Sequence, residues 1–402
     1  MGMTVWEWFE RSSFHHGDFN SLAVSGTRVE RPTVTLIFPA RNVAGTIGTI
    51  LDVVNDLRAR TGLPDQVIVV DADSPDGTAD IARARGAEVY SENELMSDYG
   101  PAQGKGDAMW RSLSVARGDI VMFADSDTTD FREHFITGTL GPLLTDRRVQ
   151  FCKAAYRRPF SQGEKSIADG GGRVTELMAK PLLNLFYPEL AGFVQPLAGE
   201  FAARRELFNK VPFFTGYGVE IGMMIDVYAE VGLEGMAQVD LGTRQNRHQS
   251  LASLTRMSSV VLRTLAMRNG IATREPDGDE PGLWELRQQE TYLHAVATED
   301  GLRLDEHLNE LIERPPLAHL RPEMASGLCG RVRSRAHKNV VESALDTLPL
   351  GWRLTSRSRR PSARAASGGR RTRAMPKGPA RLAATWPPRH GGSAAAGSTF
   401  PR

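Results

Sequence analysis

The feature that most constrains this chain is a set of three short apolar runs that each close on polar groups. Thr33-Val34-Thr35-Leu36-Ile37-Phe38 leads to Asn42, Val67-Ile68-Val69-Val70 leads to Asp71 and Asp73, and Ile120-Val121-Met122-Phe123-Ala124 leads to Asp125 and Asp127. Continuous apolar runs of this length suit strands buried on both faces of a parallel sheet. Between the first two, Ile47, Ile50, Leu51, Val54 and Leu57 recur at helical spacing. The pattern then predicts a helix over 78–85, a strand over 87–90 and a helix over 106–117, with the first strand ending at Pro39. This alternation predicts an α/β fold, a doubly wound, mostly parallel sheet with right-handed crossovers. Ligands in such sheets sit beyond the carboxyl ends of the strands, so the three polar endings locate the expected site. No Gly-x-Gly-x-x-Gly follows the first strand and no Walker-type loop is present, which removes the main support for dinucleotide and P-loop readings. Residues 150–270 show less regular patterning, with helical stretches expected near Leu177–Phe186 and Leu251–Met267.

The charge balance conceals two opposed segments. The 402 residues carry 49 Lys+Arg against 48 Asp+Glu, a net charge of +1. From Arg331 onward there are 16 basic and two acidic residues, so the first 330 hold 33 basic against 46 acidic. The whole chain is 41% hydrophobic, and the 330 residues of that acidic body are ample material for a packed core. The tail, 331–402, is rich in Arg, Ala, Gly, Ser and Pro and is expected to be disordered. Sixteen cations would bind nucleic acid non-specifically. The tail lacks the regular aromatic spacing of a stacking platform, however, and its bias equally resembles GC-rich sequence translated in an unselected frame. An inert or artefactual tail is preferred over a nucleic-acid partner. No apolar run is long enough to span a membrane, and the N-terminus lacks a signal-peptide layout. Cys152 and Cys329 fit neither a disulfide scaffold nor a zinc spacing, so a cytoplasmic location is expected.

Asp125-Ser126-Asp127 carries the chemistry most directly. Two carboxylates bracketing one small residue at a strand end can face a single divalent cation. Hard oxygen ligands suit Mg²⁺ or Mn²⁺, which bridge to substrate phosphates. The alternative is an Asp-rich surface turn.

Taken together, Phe38-Pro39-Ala40-Arg41-Asn42, Asp71-Ala72-Asp73-Ser74-Pro75-Asp76-Gly77-Thr78, Gly104-Lys105-Gly106 and Asp125-Ser126-Asp127 resemble a GT-A glycosyltransferase. Gly172-Arg173-Val174-Thr175-Glu176-Leu177, Gln195-Pro196-Leu197-Ala198-Gly199-Glu200 and Gly216-Tyr217-Gly218-Val219-Glu220 narrow this to a resemblance to the glucosyl-3-phosphoglycerate synthase family, over about residues 30–317. The resemblance implies a GT-A fold with an N-terminal extension (1–30), a nucleotide-sugar-binding half (31–150) and an acceptor-binding half with C-terminal helices (151–320). It implies a retaining transfer of glucose from UDP-glucose to 3-phosphoglycerate with Mg²⁺ or Mn²⁺, in a homodimer, on the way to glucosylglycerate and methylglucose lipopolysaccharides. A sister activity that takes mannose from GDP-mannose is the nearest alternative. A membrane-linked polyprenyl-phosphate sugar transferase is disfavoured because no membrane segment follows the core.

Carried over residue by residue, the resemblance assigns donor binding to Pro39, Ala40, Arg41, Lys105, Asp125 and Ser126. Acceptor binding falls to Arg157, Gly172, Arg173, Thr175, Tyr217, Asn246 and His248, and metal binding to Asp127 and His248. Within Asn246-Arg247-His248-Gln249 the histidine stands two positions from the family's usual place, which leaves Asn246 as the alternative facing the metal. Asp127, Glu220 and Arg173 form the expected catalytic set, with Glu220 on the acceptor side as base or orienter. The family carries an acidic residue where this chain has Val43.

Overall fold

A computed structural model gives the fold and describes residues 2–19, 31–162, 165–167, 171–244, 249–270, 291–298, 301–308 and 310–320. The expected tail, 331–402, lies outside the described residues, as do Cys329 and the 245–248 segment.

The chain opens with α1 (Val5–Ser12), β1 (Ser13–His15), β2 (Val34–Ala40), α2 (Ala44–Thr61), β3 (Gln66–Asp71), α3 (Thr78–Ala84) and β4 (Glu88–Ser91). It continues through α4 (Gly104–Ser112), β5 (Ile120–Phe123), α5 (Glu133–Thr145) and β6 (Phe151–Arg157), with β7 (Phe160–Gln162) and β8 (Lys165–Ile167) as a small hairpin. Then come α6 (Lys180–Phe186), β9 (Phe201–Arg204), α7 (Arg205–Lys210), β10 (Phe213–Phe214), α8 (Val219–Val231), β11 (Met236–Thr243) and α9 (Leu251–Arg268). A second hairpin, β12 (Thr291–Thr298) and β13 (Gly301–Leu308), precedes β14 (Glu313–Arg314), which pairs with β10.

Eight strands form one sheet in the order β1-β11-β6-β9-β5-β2-β3-β4. All neighbours are parallel except β9, which runs antiparallel to both β5 and β6. The two faces bury separate cores. Ile37, Ile68, Phe123, Phe151 and Phe201 lie on one, and Leu36, Phe38, Val69, Met122 and Cys152 on the other.

Three local differences from the sequence expectation have physical causes. Strand β2 runs through Pro39 to Ala40, because β5 pairs with it only as far as Ile37 and the missing N–H of Pro39 faces no partner strand. The 1–30 segment contributes an edge strand, since β1 pairs with β11. A Thr4–Glu7 capping box starts α1, and buried Trp8 donates its indole N–H to the Met236 carbonyl (2.8 Å) against the ring of Phe193. Finally, the 150–270 region is regular: β6, β9, α8 and β11 all lie in it. Its strands hide their pattern because β6 carries Lys153 at its centre and β11 carries Gln238 and Asp240.

Candidate active site

A cavity of about 670 Å³ opens at the carboxyl ends of β2 and β5. Its walls come from the start of α4, the 171–175 segment and the start of α8. Pro39, Ala40, Arg41, Lys105, Asp125, Ser126 and Asp127 line one side, and Gly172, Arg173, Thr175, Tyr217 and Glu220 the other. The expected donor residues and most of the expected acceptor residues thus meet in one space.

The strand ends are tied together by backbone-directed side chains. Ser126 donates its hydroxyl to the Pro39 carbonyl (2.6 Å), and Thr46 donates to the Ser126 carbonyl (2.6 Å). Asp71 and Asp76 accept from the backbone N–H groups of Ser74 and Ala44, and Asp73 accepts from the Asn93 side chain (2.8 Å). The acids that end β3 therefore shape the turn, whereas those that end β5 face the cavity. Val43, where an acid stands in the family, is a buried, apolar part of the wall.

Lys105 sits at the centre of the charge arrangement. Its ammonium binds Asp125 (2.5 Å) and Glu220 (2.9 Å). Two close packings hold it there. A Cβ on Gly106 would lie 1.9 Å from the Phe214 carbonyl oxygen, and one on Gly199 would lie 2.2 Å from the Asp125 carboxylate. Glycine at these positions lets α4 and the 195–200 loop close on the site. Burial pushes the Asp125 carboxyl up, but the neighbouring Lys105 and Arg244 cations outweigh it and hold Asp125 well below the usual carboxylate range. Against the downward pull of burial, Asp125 and Glu220 raise Lys105.

Several functional neighbours were not singled out from sequence. Arg244, at the end of β11, is buried and contacts Asp125 (3.0 Å), Thr128 (2.6 Å) and Glu200, and reaches within 3.9 Å of Asp127. Arg158, rather than Arg157, lines the cavity. Arg157 is the last paired residue of β6 and is exposed, whereas the Arg158 guanidinium donates to the Tyr156 hydroxyl (2.7 Å). That hydroxyl also accepts from Arg244 and donates to Glu200 (3.0 Å). Glu92 lines the cavity too, its carboxyl pushed up to about 7 by burial and the nearby Asp107 charge. No local signal flags Arg244, because β11 is a mixed strand with Gln238 and Asp240 inside it.

The facing wall begins at Gly172, whose φ of 69° lies in the left-handed region, and enters a π-helical turn, Thr175–Ala179. Thr175 is buried in the wall and Tyr217 is about half exposed above it. Asn246 and His248 lie outside the described residues.

The carboxylates divide into held and available. Both oxygens of Asp125 are engaged by Lys105 and Arg244. Asp127 is 52% exposed and, among the described residues, has its nearest cation, Arg244, at 3.9 Å. A hard divalent cation would therefore find its carboxylate oxygen at Asp127, and the donor set fits Mg²⁺ or Mn²⁺.

Residues 35–217 match the family model described as glycosyl transferase family 2. A glucosyl-3-phosphoglycerate synthase of Mycolicibacterium smegmatis is 42% identical over 290 residues, covering 72% of this chain and 90% of that protein. The crystal structure of glucosyl-3-phosphoglycerate synthase from Mycobacterium tuberculosis with Mn²⁺, UDP-glucose and phosphoglyceric acid is 36% identical. It superposes with a TM-score of 0.65, covering 77% of this chain and 99% of that one. The crystal structure of mannosyl-3-phosphoglycerate synthase from Rubrobacter xylanophilus is 54% identical, with a TM-score of 0.70, over 79% of this chain and 99% of that one.

Proposed function

Because this chain belongs to the glucosyl-3-phosphoglycerate synthases, within glycosyl transferase family 2, we propose that it is a retaining transferase moving glucose from UDP-glucose to 3-phosphoglycerate. The observation that carries the reading is the convergence of Arg41, Lys105, Arg158 and Arg173 on one cavity beside the half-exposed Asp127, with the buried Arg244 behind it on Asp125. An otherwise acidic body thereby gathers its cations where a diphosphate and a phosphorylated acid would meet.

In this reading Pro39, Ala40 and Arg41 receive the nucleoside, and Lys105 with Ser126 holds the diphosphate side. Asp127 with His248 or Asn246 would hold Mg²⁺ or Mn²⁺, which would supply positive charge to the diphosphate. Gly172 allows close backbone approach, while Arg173 grips the acceptor's phosphate or carboxylate in bidentate fashion with Thr175 as a further donor. Tyr217 covers the acceptor. Glu220 orients the acceptor hydroxyl. The protein's contribution is positioning and fixed charge around a front-face transfer in which the leaving diphosphate accepts the hydroxyl proton.

The 54% identity to a mannosyl-3-phosphoglycerate synthase favours a second donor reading, GDP-mannose on the same acceptor. A coupled assay with 3-phosphoglycerate and Mg²⁺ or Mn²⁺, run in parallel with UDP-glucose and GDP-mannose, separates the two. The expected result is faster glucosyl transfer, and no product from either donor would overturn the transferase reading. A homodimer and a cytoplasmic location belong to the same proposal on family grounds, and sedimentation of the purified chain tests the first. Among the described residues no helix is long and apolar enough to cross a membrane.

A further inference from the structure

The hairpin of β12 and β13 is built unlike the rest of the molecule. Its strands pair only with each other, from Thr291 opposite Leu308 to Thr298 opposite Gly301. Leu293, Leu302, Leu304 and Leu308 share one face and are exposed, so that face buries little to hold the strands together. A lone two-stranded hairpin is marginal in water without a further stabiliser.

The opposite face carries metal-ligating side chains. His294 lies directly across from Asp305, and His307 follows Asp305 on the same face two residues along β13. One ring nitrogen of each histidine and one Asp305 oxygen lie within 4.8 Å of one another, and all three side chains are half-buried. None of the three lines the cavity. Two imidazoles and a carboxylate suit a borderline transition cation, whereas Mg²⁺ prefers oxygen ligands and its own waters. Around tetrahedral Zn²⁺, ligand atoms stand roughly 3.3–3.6 Å apart. Small χ rotations of the three side chains close the difference with the backbone ladder in place.

Arg303 is the competing cation. Its guanidinium forks onto Asp305 through Nε (2.7 Å) and Nη2 (3.0 Å). That fork first, and the neighbouring His307 and His294 after it, hold the Asp305 carboxyl below the usual carboxylate range. The Arg303 side chain is 63% exposed, so water replaces the carboxylate at little cost.

We propose that His294, Asp305 and His307 form a Zn²⁺ site that clips β12 to β13, with water in the fourth position. The metal takes the place of Arg303 at Asp305 and cross-links the strands on the face opposite the leucines. It supplies stability that this hairpin does not draw from a core. The inference is independent of the transferase reading.

The test titrates the full, untagged chain with Zn²⁺ at neutral pH, with excess Mg²⁺ present, and follows bound metal by equilibrium dialysis. Wild type should hold one Zn²⁺ with a Kd of about 1 μM. His294→Ala and His307→Ala should each weaken binding at least about 100-fold, since even changes outside the ligand set cost about 10–100-fold. Arg303→Gln should tighten it about threefold by freeing Asp305. At a Zn²⁺ concentration about ten times the Kd, tryptic cleavage after Arg303 should slow about 10-fold in wild type and not in His307→Ala. Metal-free melting temperatures of wild type and the histidine variants should agree within a few degrees, which separates loss of a ligand from loss of the fold. Should one histidine variant fail to fold, the other and Arg303→Gln still decide. No Zn²⁺ on the wild type up to about 100 μM would overturn the proposal. So would equal affinity in wild type and both histidine variants, which would place the ion elsewhere, at Asp127 or at the stacked rings of His16 and His134.

Discussion

Helix α4 carries two buried charge clusters two residues apart, one built on Lys105 and the other on Asp107. Both bring ions out of water, yet they differ in what completes them. Asp107 is fully buried and is held by Arg111 (3.1 Å), by Arg314 (2.7 Å) and by the backbone N–H of Gln103 (2.9 Å). The guanidinium groups direct their remaining donors to carbonyls, Arg111 to Leu95 and Gly100 and Arg314 to Tyr99. That cluster is closed by the chain itself, and it ties the C-terminal β14 segment to α4. The Lys105 cluster opens onto the cavity, where Asp127 has, among the described residues, only the distant Arg244 at 3.9 Å. Buried charge alone does not mark a site; charge left for a ligand to complete does.

The largest expected effects would break this comparison if they failed. Asp127→Ala should lower turnover by at least about 10³-fold, in line with loss of a charge-stabilising group, while leaving the melting temperature within a few degrees. Near-normal activity would remove Asp127 from the metal site. Arg314→Met should do the reverse, costing about 3–5 kcal/mol because it strips one partner from a buried pair. Its urea midpoint should fall with kcat per folded molecule unchanged. If both variants lost activity and stability in proportion, the two clusters would be one unit.

This contrast also explains what the sequence could and could not disclose. The strands β2, β3 and β5 were legible because each is an unbroken apolar run, and their endings located the cavity. The lining by Lys105, Asp125, Arg173 and Glu220 followed from motif resemblance, not from periodicity. Helix α5 was not legible, since Gly138, Gly141 and Pro142 argue against a helix. The fold overrides that propensity: a Cβ on Gly141 would lie 2.1 Å from the Phe19 ring, so the glycine is there to admit the N-terminal segment. Arg244 was not singled out and Arg157 was preferred to its neighbour, because the meaning of Arg244 and Arg158 is spatial. They meet at the Tyr156 hydroxyl from strands far apart in sequence, and nothing in either segment's local pattern shows the meeting.

A smaller effect sharpens the acceptor side. Arg173→Lys keeps the charge but loses the planar fork, so the KM for 3-phosphoglycerate should rise about 10-fold, near the value of one charge-assisted hydrogen bond. The KM for the nucleotide sugar should stay within about twofold. Equal rises in both would place Arg173 between the substrates instead of on the acceptor wall.

The smallest expected effect concerns Glu92, which joins the two clusters electrostatically because Asp107 helps to raise it while the cavity receives its residue. With a folded-state value of about 7, set first by burial, Glu92 is mostly neutral at pH 6 and mostly ionised at pH 8. Ionisation adds a negative charge where a diphosphate must bind, so donor KM should rise with pH across that window. At partial exposure, with solvent screening, the rise should be about threefold. Glu92→Gln removes the titrating proton and should flatten the profile without altering kcat. The same variant should gain stability at pH 8 relative to pH 5. A carboxyl raised above its unfolded value weakens the fold only once the pH has climbed through the window between the two. A donor KM that stays level from pH 6 to 8 in the wild type would show that the Glu92 charge is screened from the diphosphate, and would assign the residue to the closed cluster of Asp107.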